Sequence, residues 1–214
     1  MNVLVIGANG QIGRQVVGLL KESKNHTPRA MVRSEEQAGR FERDGVETIV
    51  ADLEGSVEQL TRAMVGIDAV VFVAGSGGHT GPDKTLLIDL DGAVKSMEAA
   101  EKVGIGRFIL ISALQANHRE NWNETIRPYY VAKHYADRAL TASDLDYTII
   151  RPGGLMNTPG TGRVTAAENL EGGSIPREDV AQTIVAALDE DKTVRRAFDL
   201  VTGDTSIAEA LEKI

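Results

Sequence analysis

The chain has 214 residues, 42% of them apolar and 25% charged, a composition typical of a globular protein with a large core. The net charge is −8, and 23 basic residues are dispersed among 31 acidic ones, which argues against a nucleic-acid partner. The absence of cysteine excludes disulfides, thiolate metal sites, iron–sulfur clusters and a cysteine nucleophile, so redox chemistry would require a bound cofactor.

Short apolar runs alternate with amphipathic segments along the chain. The runs have the continuously apolar character of strands buried in a parallel sheet, and they fall at residues 3–6, 30–32, 47–50, 69–73, 108–111 and 147–150. The amphipathic segments predict helices near 11–22, 35–43, 56–65, 83–103, 127–143 and 177–190. This alternation predicts an α/β fold, a Rossmann-like doubly wound parallel sheet with helices on both faces.

The first predicted strand ends in a glycine-rich turn that opens the first helix. Gly7 permits the tight turn, Gly10 lets the backbone approach a pyrophosphate, and Gly13 lets the helix pack closely on the sheet. Glycine-rich turns are common, so the position directly after a buried strand carries the argument. The turn predicts a dinucleotide-binding site formed by Gly7, Asn9, Gly10, Gln11, Ile12 and Gly13.

The end of the second strand bears on the choice of cofactor. Arg33 stands where an NAD site usually offers an acid to the ribose, and an arginine there suits a 2′-phosphate instead. Arg14, at the opening of the first helix, would add a second positive charge. NADP is therefore expected in preference to NAD, the alternative being that Arg33 is an ordinary surface arginine.

Two further strand ends contribute candidate cofactor-binding residues. Asp52 follows the third strand and either accepts a hydrogen bond from the adenine amino group or caps the next turn, with Leu53 beside it. Ala74, Gly75 and Ser76 follow the fourth strand, where short side chains let the backbone pass the cofactor or simply form a flexible loop.

The predicted helix at 127–143 carries a tyrosine and a lysine one turn apart. Tyr129 and Lys133 share a helix face beside the apolar stripe, whereas Tyr130 pairs with His134 on the flank expected to be more exposed. A phenol has a pKa near ~10, and a neighbouring cation favours the phenolate that general base catalysis requires. Ser112 ends the fifth strand at the carboxyl edge of the sheet, where ligands of open α/β folds bind.

These features together resemble the short-chain dehydrogenase/reductase superfamily over essentially the whole chain. The glycine spacing and the Arg-Pro-Gly turn resemble the extended, sugar-epimerase-like branch, and the short C-terminus resembles atypical members described as NAD(P)-dependent epimerases or dehydratases. The resemblance implies that Ser112 and Tyr129 hold and protonate or deprotonate a substrate oxygen and that Lys133 holds the nicotinamide ribose. It also implies that Pro152 and Gly153 line the nicotinamide. It is carried by residues 7–13, Asp52, Ser112, 129–133, 151–153 and 178–181.

One position departs from the pattern of the extended branch. Where that branch often has asparagine in an Asn-Val-x-Gly-Thr helix motif, this chain has Asp89, at the edge of an apolar helix stripe. A carboxylate near a core needs a partner or a task, so Asp89 is either a structural element satisfied by backbone groups or a member of the catalytic set.

The remaining expectations concern the domain as a whole, Trp122 and the four histidines. Residues 1–214 are expected to form one NAD(P)-binding domain, with a loop or lid on the substrate side at about 153–176 and a small C-terminal part at about 177–214. Trp122 either covers a ligand or packs against the domain. The histidines lack metal-ligand spacing and are expected at the surface with no metal site, two of them on loops near the site: His26, His79, His118 and His134.

The sequence predicts an NADP-dependent oxidoreductase, or an epimerase/dehydratase of the same type, acting by hydride transfer at a carbonyl or carbinol carbon of a small molecule. The alternatives are a non-catalytic NADP-sensing regulator and a flavin or quinone reductase that needs no tyrosine acid. No apolar stretch approaches the ~20 residues of a membrane span, so a cytoplasmic monomer or small homo-oligomer without membrane or nucleic-acid partners is expected.

Overall fold

The computed structural model describes residues 1–78 and 80–214, so the expectation for His79 lies outside the described residues. The strands are β1 Asn2–Ile6, β2 Thr27–Val32, β3 Glu47–Val50, β4 Ala69–Phe72, β5 Arg107–Ile111, β6 Asp146–Pro152, β7 Gly154–Met156, β8 Arg163–Ala167, β9 Ser174–Pro176, β10 Arg196–Thr202 and β11 Thr205–Ser206. The α-helices are α1 Gln11–Glu22, α2 Glu35–Arg43, α3 Val57–Ala63, α4 Pro82–Lys84, α5 Ala93–Val103, α6 Arg127–Thr141, α7 Arg177–Asp189 and α8 Ile207–Leu211. A π-helix, Thr85–Gly92, joins α4 to α5, and short 3₁₀ turns occur at Arg119–Asn121, Glu124–Ile126 and Asp191–Thr193.

Nine strands of the described chain form one sheet in the order β11-β8-β10-β6-β5-β4-β1-β2-β3. The pairings from β3 through β10 are parallel, and β8 is antiparallel to both β10 and β11. Strand β1 pairs with β2 on one side and β4 on the other, so the strand order reverses there and opens a crevice at the carboxyl ends. This topology confirms the predicted Rossmann-like α/β fold.

The two faces of the sheet bury separate layers of apolar side chains. Along β1, Val3 and Val5 point into the layer beneath α1, α2 and α7, whereas Leu4 and Ile6 point into the layer beneath α3, α5 and α6. All four side chains are fully buried, which explains why the strand has no polar alternation. Within the described residues, no helix combines the length and the apolar character needed to cross a membrane.

The segment 153–176 differs from the single long loop that was expected. It contains β7, β8 and β9, and β8 joins the main sheet through its pairing with β10. Strand β10 was also missed, because a charged residue, Asp199, interrupts its apolar pattern. Asp199 is nevertheless fully buried, since its carboxylate accepts a hydrogen bond from the backbone N–H of Leu170 at 2.9 Å.

Candidate active site

The glycine turn after β1 has the geometry that its sequence predicts. Gly7 has a φ of 89°, and a Cβ there would lie 2.6 Å from the backbone nitrogen of Ala74. A Cβ at Gly13 would lie 2.2 Å from the carbonyl oxygen of Gly7, so the helix can approach the turn only with glycine at that position. No described side chain caps α1 at Gly10, which leaves the first-turn N–H groups for an anion.

A cavity of about 360 Å³ opens beside this turn, at the carboxyl ends of β1–β4. Predicted cofactor residues that line it are Gly7, Asn9, Gly10, Arg33, Leu53, Ala74, Gly75 and Ser76. Predicted residues outside its lining are Gln11, Ile12, Gly13, Arg14, Asp52, Lys133, Pro152 and Gly153. Sequence reasoning missed others that line it, among them Met31, Gln37, Glu54, Lys84 and Ile88, because they lie on separate elements without a shared motif.

The two arginines that were expected near the phosphates have different surroundings. Arg33 is exposed at the cavity, and within residues 1–78 and 80–214 its guanidinium makes no hydrogen bond or ion pair. Arg14 instead folds back and donates to the carbonyl and side-chain oxygens of Asn9, at 3.0 and 2.8 Å. Arg33 is therefore available to an anion, whereas Arg14 stabilises the turn.

The loop after β3 carries both a turn cap and an ion pair. Asp52 Oδ1 accepts a hydrogen bond from the backbone N–H of Glu54 at 3.0 Å, as the capping alternative predicts. The Glu54 carboxylate binds Lys84 Nζ at 2.6 and 2.8 Å, and this hydrogen bond raises the pKa of Lys84. Both residues of the pair line the cavity, so the pair links the β3 loop to α4 across its rim.

Helix α6 places Tyr129 and Lys133 over the end of β5. Lys133 is 3% exposed, and its Nζ donates to the carbonyl oxygen of Ile111 at 3.1 Å. The same atom lies 5.6 Å from the centroid of the Tyr129 ring. Ser112 is the next residue after Ile111, so the structure brings the predicted serine, tyrosine and lysine together.

Asp89 joins this group from the π-helix. Its side chain is 1% exposed, and Oδ1 lies 3.2 Å from Lys133 Nζ. Oδ2 accepts a hydrogen bond from the backbone N–H of Ser76 at 3.0 Å. Asp89 therefore connects a loop that lines the cavity to the buried lysine. A π-helix is rare and is often found at functional sites.

A second buried ion pair lies one helical turn beyond Lys133. Asp137 Oδ2 binds Arg151 Nε at 2.8 Å, and both side chains are buried. The Ser112 Oγ is also buried and makes no hydrogen bond of good geometry to a described residue. Burial raises the pKa of Asp137, while Arg151 and the nearby Ser112 hydroxyl act in the opposite direction. Sequence reasoning missed Asp137, although its spacing of four residues from Lys133 places it on the same helix face.

The Arg-Pro-Gly turn that begins with this arginine is held by backbone contacts. The Pro152 carbonyl accepts from the Leu114 N–H at 3.0 Å, and the Gly153 N–H donates to the Leu200 carbonyl at 2.9 Å. A Cβ at Gly153 would lie 2.4 Å from the carbonyl oxygen of Gly173. The glycine is therefore required for packing, and its nicotinamide role stays a prediction.

The charge state of Tyr129 differs from the simple expectation that a nearby lysine produces a phenolate. Burial raises the pKa of Tyr129; Lys133 opposes this effect, and Asp89 adds to it. Burial alone would lower the pKa of Lys133, but the neighbouring Tyr129 and Asp89 raise it and prevail. Tyr129 is therefore a phenol and Lys133 an ammonium at neutral pH.

An aromatic cluster flanks the face of α6 that carries Tyr129 and Lys133. Trp122 stacks on Tyr130 with ring centroids 6.0 Å apart, and its Nε1 donates to the Ala116 carbonyl at 3.2 Å, so it packs against the fold. His134, expected on an exposed flank, is buried against the same carbonyl at 2.9 Å. Tyr135, on the same helix, is 43% exposed.

The surface expectation is also wrong for His26, which is 5% exposed. Its Nε2 lies 3.1 Å from Asp189 Oδ2 at the end of α7. His118 is half-exposed and lies 3.3 Å from the Glu120 carboxylate. The approach of His26 to a carboxylate of another element is invisible in the sequence.

Comparisons with known proteins agree with this architecture. The family model described as NAD(P)H-binding matches residues 7–191. The chain is 61% identical to the uncharacterized sugar epimerase YhfK of Bacillus subtilis over the full length of both proteins. Among solved structures, a provisional NAD-dependent epimerase/dehydratase of Bacillus halodurans is 45% identical over the whole of both chains, with a TM-score of 0.94. The oxidoreductase ylbE of Lactococcus lactis is 33% identical over 100% of this chain and 96% of its own, with a TM-score of 0.91. The chain therefore belongs to the NAD(P)H-binding family, in its epimerase/dehydratase-like and reductase-like branch.

Proposed function

We propose that the protein is an NADP-dependent oxidoreductase acting at a carbonyl or carbinol carbon of a small molecule. The observation that carries the proposal is the cluster of the half-buried Tyr129 with the buried Lys133 and Asp89, which is connected through Ser76 to the wall of the cofactor cavity. A protein that only binds a dinucleotide has no need of a phenol held beside a buried ammonium. General acid–base groups of this kind typically contribute ~10²–10⁴-fold to a rate.

The cavity fits a nicotinamide dinucleotide. A side chain at Gly7 or Gly13 would fill the space next to the turn, and the first-turn N–H groups of α1 suit a pyrophosphate. The guanidinium of Arg33, which no residue of 1–78 or 80–214 engages, suits a 2′-phosphate and favours NADP. When bound in its reduced form, this cofactor supplies a hydride.

The chain's own residues supply the proton and the orientation. Tyr129 donates its phenolic proton to the substrate oxygen. An ammonium has three N–H donors. Lys133 donates one of them to the carbonyl oxygen of Ile111 and forms an ion pair with Asp89 at 3.2 Å, which leaves N–H groups for a ribose hydroxyl or for Tyr129. The unpartnered Ser112 hydroxyl faces the same end of the sheet and would hold the substrate oxygen.

One relative is named a sugar epimerase and another an oxidoreductase, a name that includes no substrate class. We favour a carbonyl compound, because a phenol such as Tyr129 can donate a proton to a carbonyl oxygen. The test is turnover of NADPH and NADH against a panel of aldehydes, ketones, quinones and nucleotide sugars, followed through the absorbance of the reduced nicotinamide. Turnover that is lost in Tyr129→Phe supports the proposal. Turnover that Tyr129→Phe leaves intact would assign a reductase without a tyrosine acid, and binding without any turnover would favour a cofactor sensor.

A further inference from the structure

We propose that Asp89 positions Lys133 and offsets its charge, so that Tyr129 stays a protonated phenol, the form that donates a proton in carbonyl reduction. The inference rests on the proposed function for the identity of the reacting groups. It adds a task for Asp89 and a protonation state for Tyr129.

The contact between Asp89 and Lys133 weakens the effect of the ammonium on the Tyr129 phenol. Asp89 and Lys133 are 1% and 3% exposed, and the ammonium lies 3.2 Å from Oδ1. In a site with little water, the field of a lone ammonium at a nearby phenol would be strong. A carboxylate in contact with that ammonium cancels much of the field, because the phenol is close to both charges.

The remaining surroundings of Tyr129 reinforce this effect. The charged and titratable neighbours of Tyr129 are Lys133, Tyr130 and Asp137 on α6 and Asp89 on the π-helix. Burial is the largest influence and raises the pKa of Tyr129; Asp89, Tyr130 and Asp137 act in the same direction. Lys133 alone among these neighbours lowers it. The phenol is therefore a proton donor at neutral pH.

The loop at 75–76 holds the Asp89 carboxylate in place beside Lys133. Ser76 donates its backbone N–H to Oδ2 at 3.0 Å, and a Cβ at Gly75 would lie 3.1 Å from Oδ1. An asparagine would have nearly the same shape and would accept the same hydrogen bond through its amide oxygen. The charge of Asp89, rather than its shape, is thus what distinguishes this site from one with asparagine.

The reaction balances with a phenol as donor. With the cofactor bound in its reduced form, a hydride would form the new C–H bond as the C=O π bond breaks, and the carbonyl oxygen would take the proton of Tyr129. The products are an alcohol, the oxidised cofactor and the Tyr129 phenolate, which regains a proton from water. Alcohol oxidation would need the phenolate at the start, the form that the Asp89–Lys133 pair disfavours.

The direct test is the pKa of Tyr129, measured by NMR titration of protein labelled with ¹³C at the tyrosine ζ carbon. The chain has four tyrosines, and the missing resonance in Tyr129→Phe assigns the signal. Asp89→Asn should lower this pKa by at least about one unit, equivalent to a tenfold larger phenolate fraction at a given pH. A smaller change, or none, would overturn the proposal.

Asp91→Asn is the matched control. Asp91 lies on the same π-helix and pairs with Lys95 at 2.7 Å, but it is half-exposed and outside the site. Its removal should leave the pKa of Tyr129 unchanged, and a fall equal to that in Asp89→Asn would mean that the effect is not specific to the buried pair.

A second variant covers the case in which Asp89→Asn does not fold. The double change Asp89→Asn with Lys133→Met leaves no unpaired buried charge. Because the two charges offset each other, its Tyr129 pKa should stay within about one unit of the native value. A larger rise would show that Lys133 acts on the phenol without compensation and would contradict the proposal. These titrations need no substrate, so a failure to turn over carbonyl compounds would count against the proposed function alone.

Discussion

The cofactor cavity and the proposed catalytic cluster are formed by different kinds of chemical group. The cavity is formed by backbone, by glycines and by exposed side chains such as Arg33 and Lys84. The proposed catalytic cluster consists of Tyr129 on α6 with the buried side chains of Lys133 and Asp89, and the buried Asp137 lies one helical turn beyond Lys133. Substitutions at the cavity should therefore change binding, whereas those in the buried cluster should change chemistry or stability.

The largest effect is expected for Tyr129→Phe, which tests whether the cluster acts in the reaction rather than in cofactor binding. Tyr129→Phe removes the proton donor but leaves the cavity unchanged, so turnover should fall ~10²–10⁴-fold while NADP affinity stays nearly the same. Steady-state rates together with calorimetric titration check this. Tyr130→Phe is the neighbouring control and should have little effect. An equal loss in both variants would count against a specific role for Tyr129.

The next effect concerns stability rather than binding. Asp137→Ala leaves Arg151 as an unpaired buried charge, and the free energy of unfolding should fall by about 3–5 kcal/mol. The control Glu124→Ala breaks an exposed pair with Arg127 and should cost at most about 1 kcal/mol. Denaturant titration measures both. Similar losses in the two variants would show that burial does not distinguish these pairs.

Reversing the charge of Arg33 tests the cofactor preference of the cavity. Arg33→Asp should repel a 2′-phosphate and pair with a ribose hydroxyl, so it should reverse a preference for NADP over NAD. Arg40→Asp, on the helix α2 that follows Arg33, changes an arginine paired with Glu36 and should preserve the preference. Calorimetry with both cofactors decides the point, and equal affinities in the native protein would refute it.

The smallest effect belongs to the ion pair at the cavity rim. Lys84→Met removes the link to Glu54, so cofactor release should accelerate about two- to fivefold, the size expected for an exposed pair. Lys102→Met breaks an exposed pair with Glu58 on other helices and should leave release unchanged. Stopped-flow displacement measures the release rate; equal rates in the native protein and Lys84→Met would exclude a role for the rim.

The sequence predicted features formed by contiguous residues better than it predicted features formed by distant side chains. The turn after β1 was predictable because its glycines and its strand–helix context are contiguous. The grouping of Ser112, Tyr129 and Lys133 followed from a resemblance, and the structure brings them together. Their catalytic roles remain predictions.

Features that depend on distant side chains were not predictable. Asp137 and Arg151 are 14 residues apart and Glu54 and Lys84 are 30 apart, so neither pair has a local pattern. Strand β10 was hidden by Asp199, whose burial depends on the Leu170 N–H. The π-helix arises within a segment that reads as one continuous helix.

The central claim is that the cofactor cavity and the buried cluster form one active site. The most direct measurement is the ¹³C ζ resonance of Tyr129 as the protein is titrated with NADP, with Tyr135 on the exposed side of the same helix as an internal reference. We predict that saturating NADP shifts the Tyr129 resonance and leaves that of Tyr135 in place. A Tyr129 resonance that does not move while NADP binds would show that the two regions are separate and would contradict the account.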